Sequence, residues 1–142
     1  MKLYSFEDTT LIINARELTG YSDEDDTIIV RRLEDTISHV MGNSGEMAIS
    51  IRASRAGEFV FKLQQTSEDN NFLALIMGAA ENGAFVPIEM LFKDNLGNDL
   101  FTGLKGYLRR PADATRGNPV QSQEWSVVVE RLDMIHGGSP DV

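Results

Sequence analysis

Apolar and polar residues alternate along most of this chain with a period of two. From Glu46 to Ser54, Met47, Ile49, Ile51 and Ala53 alternate with Glu46, Ser50, Arg52 and Ser54, which predicts a strand with one buried face. Ser54-Arg55-Ala56-Gly57 then supplies a turn glycine. Beyond it Phe59, Phe61 and Leu63 alternate with Glu58, Lys62 and Gln64, so the two runs together predict a hairpin. A second hairpin is predicted from Val86, Ile88, Met90 and Phe92, through Asp94-Asn95-Leu96-Gly97-Asn98-Asp99, to Leu100, Thr102, Leu104, Gly106 and Leu108. Leu91, Phe101 and Tyr107 put apolar residues on its other parity, so this pair is covered on both sides or meets a neighbouring subunit. Glu124 to Leu132 predicts a last strand, with Trp125, Val127 and Val129 on one face and Glu124, Ser126 and Glu130 on the other. Thr9 to Ala15 and Thr27 to Leu33, rich in β-branched residues, add two more.

The period changes once. Ser67 is a predicted N-cap, Glu68 and Asp69 favour the positive end of a helix dipole, and Phe72, Leu73, Ile76, Met77 and Ala80 recur at helical spacing. The spacing predicts a helix over about residues 67–80, ended by Gly78 or Gly83. The order strand, strand, hairpin, helix, hairpin, strand describes a mainly β single domain over residues 1–142 with one packed helix. Asp35 to Gly45, Arg109 to Gln123 and the tail from His136 to Val142 read as loops, and the tail at about 136–142 is expected to be flexible. Loops this long exceed the usual ~4–6 residues and are where contacts with partners are expected.

Composition narrows the chemistry. The chain has 142 residues, 13 Lys and Arg against 22 Asp and Glu for a net charge of −9, and no cysteine. A core at this length buries about 70% of the unfolded surface without disulfides or a structural metal. Thiolate nucleophiles, iron–sulfur ligands and zinc ribbons are excluded, and an acidic chain is poorly suited to gripping nucleic-acid phosphates. The longest nearly uncharged apolar stretch, Phe72 to Ala80, is nine residues, against the ~20 a membrane helix needs. With a polar, acidic start and no targeting signal, the chain is expected to be made in the cytosol.

Catalysis finds no footing. His39 and His136 lack ligand spacing, and no Gly-x-Ser-x-Gly elbow occurs. Asp23 to Glu34 imitates a calcium loop but offers Ile28 at the sixth position, where the bend requires glycine. Asp23-Glu24-Asp25-Asp26 therefore reads as a solvated turn before a strand, with cation binding left open. No enzyme activity, metal or cofactor is expected. Arg31, Arg32, Arg109 and Arg110 are too few for a nucleic-acid patch, and each is expected to pair with a carboxylate, within the chain or across a subunit boundary.

Several stretches, taken in order, resemble tail tube proteins of contractile-tailed bacteriophages. They are Tyr4-Ser5-Phe6-Glu7-Asp8-Thr9-Thr10-Leu11, Gly20 followed by Asp25-Asp26-Thr27-Ile28-Ile29-Val30, Gly42-x-x-Gly45-Glu46, and Gly57 followed by Leu63-Gln64-Gln65-Thr66-Ser67. The similarity runs from Lys2 to about Met134. It implies a β-sandwich or partial barrel with a helix at its side, related to the tube subunits of type VI secretion and pyocins. It also implies six-membered rings stacked into an inner tube, inside a contractile sheath and between a baseplate and a tail terminator, conducting DNA without binding it specifically. The chain is then a virion tail protein assembled in the host cytoplasm. On that resemblance, the polar parity of the long strands (Glu46, Ser50, Arg52, Glu124, Ser126 and Glu130) is expected to face the channel. Asp35, His39 and Asn43 are expected in a loop that reaches the next ring. A secretion or pyocin tube subunit, and a monomeric β-barrel that binds a small apolar ligand, are the alternatives.

Overall fold

The computed structural model describes residues 1–139 and 141; Pro140 and Val142 of the predicted tail lie outside the described residues. After a 3-10 turn at Phe6–Asp8, the elements are β1 (Thr9–Ile13), β2 (Arg16–Glu17), β3 (Ile28–Arg32), β4 (Ile37–Met41), β5 (Met47–Ile51) and β6 (Gly57–Gln64). Helix α1 (Asp69–Glu81) follows, then β7 (Ile88–Asp94), β8 (Leu100–Leu108) and β9 (Ser122–Ile135). Seven strands form one antiparallel sheet in the order β2-β1-β7-β8-β9-β6-β3, while β4 and β5 form a separate two-stranded sheet. The large sheet stays open, with β2 and β3 as its outer strands.

The core lies on one face of this curled sheet. Leu11 and Ile13 of β1, Phe59, Phe61 and Leu63 of β6, and Val127, Val129 and Leu132 of β9 are fully buried there. This is the mainly β architecture with one helix that the alternation predicts. The β7–β8 hairpin forms as expected, with Phe92 and Phe101 paired and their rings stacked at 5.4 Å.

Helix α1 closes the open side of the core. Leu73 is fully buried, Phe72, Ile76 and Met77 pack beside it, and Trp125 Nε1 donates to Asn70 Oδ1 at 2.9 Å. Ser67 Oγ accepts the Asp69 N–H at 3.3 Å, so it serves the helix start from one residue further out than a standard N-cap. Gly78 continues inside the helix. The chain leaves it at Gly83, whose φ of +87° only glycine adopts at little cost.

The first predicted hairpin is wrong in its pairing. β5 pairs with β4, not β6, through Ile37↔Ile51, His39↔Ile49 and Met41↔Met47, and β6 pairs with β3 and β9. The segment Asp35 to Gly45, expected as a loop, therefore contains a strand. Its turn is made by Gly42 and Gly45, with φ +82° at Gly45 and the Gly42 N–H donating to the Glu46 carbonyl at 2.7 Å. Gly57 serves packing rather than a turn: a Cβ there would collide with the Leu132 side chain.

Candidate assembly surfaces

The β4–β5 hairpin stands away from the body of the fold. One face carries Ile37, Met41, Met47, Ile49 and Ile51, which are 54–76% exposed, with His39 among them. The other face carries Ser38, Val40, Ala48 and Ser50. The strand that alternation marks as half-buried thus leaves its apolar parity in solvent. A two-stranded hairpin alone is marginal in water, and a contiguous apolar face of this kind marks an interaction site.

The predicted residues divide between two places. Glu46 lies in the hairpin turn, Ser50 on the hairpin's more polar face, and Arg52 just beyond β5, where it pairs with Glu34 at 3.0 Å. Glu124, Ser126 and Glu130 lie on β9, on the parity opposite the buried Trp125, Val127 and Val129. The two sets belong to different sheets. Asp35 precedes β4, His39 sits on its apolar face, and Asn43 is in the turn.

On the sheet face away from the core, Glu58 is 2% exposed and holds two arginines. Arg31 pairs with Oε1, Arg109 with Oε2 at 3.0 Å, and the Ser126 hydroxyl donates to Oε2 at 3.3 Å. Arg31 and Arg109 thus meet the carboxylate expected of them, but within the chain. Arg32 does not: its guanidinium donates to the Leu132 carbonyl at 3.1 and 2.9 Å and to the Thr36 hydroxyl at 2.9 Å. Nothing in the sequence pattern marks Glu58, because a charged residue at an outward parity normally reads as solvated.

The acidic run is engaged by a cation of its own chain. Lys62 Nζ bridges Glu24 at 3.0 Å and Asp26 at 2.9 Å. Hydrogen bonding to this ammonium holds both carboxyls below their ordinary range, and the same bonds push the Lys62 amine up. Among the described residues no group of three or more His, Asp or Glu side chains is placed to hold a metal. His136 packs edge-on against Phe101, with ring centres 5.0 Å apart.

A groove of about 620 Å³ opens where β5 leads back into the body, lined by Ser54, Arg55, Leu104, Lys105, Glu130 and Arg131 among others. It exists because two neighbouring strands both switch their buried parity. Gly103 and Gly106 are both buried although three residues apart, as are Val129 and Leu132. Between them Leu104-Lys105 and Glu130-Arg131 are exposed doublets, with Lys105 at φ +55°. The bulge is on β8 against β7, where Gly103 and Gly106 face Met90 and Ile88, and β9 follows β8 through it in unbroken register; a bulge bends a sheet and re-aims its side chains. Sequence reasoning missed the groove, and the short Gly103–Gly106 spacing was the available signal.

Comparison with known proteins fits this open, mainly β fold. The protein resembles the anti-feeding prophage tube terminating cap at TM-score 0.65 and 8% identity, covering 95% of this chain and 92% of that one. It resembles the sheath/tube terminator of an extracellular contractile injection system, PVC, at TM-score 0.62 and 10% identity, covering 96% and 99%. In sequence it is 27% identical over 150 residues to "Structural protein ORF10" of Pseudomonas phage KPP10, covering 98% of this chain and 84% of that protein. Residues 1–137 match the family described as bacteriophage PhiTE tail tube protein. The chain belongs to that family of phage tail tube proteins.

Proposed function

We propose that copies of this chain assemble into rings of six that stack into the inner tube of a contractile tail, and that DNA passes through the central channel during ejection. The exposed apolar face of the β4–β5 hairpin carries this reading, because five large apolar side chains left in water on a two-stranded arm need a partner surface. The open sheet supports it too: β3 at one edge and β2 at the other leave strand edges for neighbouring copies to extend.

Within the tube, the polar parity of β9 at Glu124 and Ser126 faces the channel, and Glu130 marks where β9 passes from the channel to the groove at the hairpin base. The hairpin, with His39 and Asn43, reaches the next ring. A ring of chains at −9 each is strongly acidic, and an acidic lining repels phosphates, so DNA slides instead of sticking. A sheath outside and baseplate and terminator proteins at the ends are the other partners, in a virion tail assembled in the host cytoplasm.

A terminator role at the tube's end is the alternative, favoured by the two solved structures of tube caps that share the fold. The two differ in propagation. Sedimentation of the purified chain at rising concentration tests them: growth into long polymers supports a tube subunit, arrest at one ring supports a terminator, and a monomer at all concentrations defeats both.

A further inference from the structure

We propose that the turn of the β4–β5 hairpin on one copy seats in the cationic groove at the hairpin base of the next copy, so that stacking runs head to tail. The proposal rests on the assembly reading above and names the surface that receives the hairpin.

Charge selects the occupant. The turn from Gly42 to Glu46 carries one charge, Glu46, while Glu34, Asp35 and Arg52 sit at the other end of the arm, where Glu34 and Arg52 pair at 3.0 Å. The groove gathers Arg55, Lys105 and Arg131. These three face two acids, Glu130 at 3.9 Å from Lys105, and Asp133 at 3.5 and 3.0 Å from Arg55 and Arg131. On a chain of net charge −9, two copies repel over most of their surfaces, and a concave site with excess cations is where an acidic turn is attracted.

Shape and polarity agree with charge. Leu104 and Lys105 also line the adjoining depression with Val86, Pro87, Asn14 and one acid, Glu89, so apolar side chains continue the surface beyond the cations. Leu104 and Val86 are exposed there, as are Phe85 and Leu75 further on. A hairpin entering by its acidic turn lays its Ile37, Ile49 and Ile51 face along that surface. Turn and base are different patches of one chain, so the contact is heterologous: it does not close on itself and repeats from copy to copy.

The cysteine-free chain gives a clean test. A Ser44→Cys, Ser54→Cys double variant is assembled, mildly oxidised and run on a denaturing gel. Turn and base lie about 17 Å apart along a five-residue arm, too far for a disulfide within one copy, which needs Cα atoms within ~7 Å. The expected result is a ladder of covalent multimers, with neither single variant going beyond dimers. Glu46→Lys is expected to abolish tubes, and Glu46→Lys with Lys105→Glu to restore them. Tubes without a ladder overturn this contact and leave the tube assignment standing. Strong dimers from Ser44→Cys alone overturn it in favour of a hairpin-to-hairpin contact. Failure of the unmodified chain to assemble at any concentration defeats the assembly reading, and this contact with it.

Discussion

Arg109 Nη2 lies 3.0 Å from Glu58 Oε2, tying the start of the long β8–β9 loop to a buried carboxylate on β6, beside the edge strand β3. Breaking a fully buried ion pair costs about 3–5 kcal/mol. Arg109 and Arg31 are about half exposed and can turn to water, so Glu58→Gln is expected to cost less, roughly 1–3 kcal/mol. A thermal melt lowered by several degrees is the expected outcome; an unchanged melt would show that the cluster adds nothing to stability.

Stability should fall in acid in a way that depends on Lys62. Its hydrogen bonds hold the Glu24 and Asp26 carboxyls below their ordinary 4.5 and 3.8. A depressed carboxyl stabilises the folded chain above its ordinary value, and this contribution is lost as pH falls through its lowered one. Lys62 is raised, so its own contribution persists through neutrality and is lost only above its ordinary 10.5. Denaturant titrations between about pH 7 and pH 3 should show Lys62→Met flattening part of the decline below about pH 4.5. Identical pH profiles for the two proteins would contradict the assignment.

The β1–β2 turn places Asn14 at φ +47° and Ala15 at φ +67°. The left-handed region costs a residue with a Cβ about 1–2 kcal/mol, and Asn-Gly is the preferred pair for such a turn. Ala15→Gly relieves that strain at an entropic cost of about 0.5–1 kcal/mol, and is expected to raise the melting temperature slightly. A fall would mean that the methyl group makes a contact worth more than the strain.

Polar substitution on the hairpin should separate folding from assembly. Ile49→Ser and Ile51→Ser alter side chains already in solvent, so the monomer's stability is expected to move by no more than about 0.5 kcal/mol. Polymer formation, followed by light scattering, is expected to be lost.

If the polar parity of β9 lines the channel, Glu124→Lys leaves tubes intact and slows DNA release from phage carrying the variant. An unchanged release rate would count against that facing.

What the sequence makes legible follows from where each element finds its cover. α1, β7 and β9 as far as Val129 bury their apolar positions in the chain's own core, so their periodicity identifies them and their inward faces; β8 is found as a strand, but its inward parity switches between Gly103 and Gly106 and leaves Leu104 exposed. Met47, Ile49 and Ile51 alternate just as regularly, but among the described residues β5 pairs only with β4, and its apolar side chains are exposed. Period two marks a strand with a preferred face, not which strand it pairs with or which molecule covers it. The turn glycines misled for a related reason: Gly57 yields to the Leu132 side chain, 75 residues away in sequence, while Gly42 and Gly45 make the turn. Glu58 was illegible because its partners come from distant parts of the chain, whereas the groove at Lys105 left one trace in the short Gly103–Gly106 spacing.

Electron microscopy of the purified chain at high concentration, compared with a variant whose Ile37-to-Ile51 hairpin is replaced by a short glycine linker, tests the central claim most directly. Stacked rings or hollow tubes from the intact chain, and none from a folded hairpin-less variant, are the predicted result. A dispersed monomer from the intact chain, or tubes that form equally well without the hairpin, would contradict it.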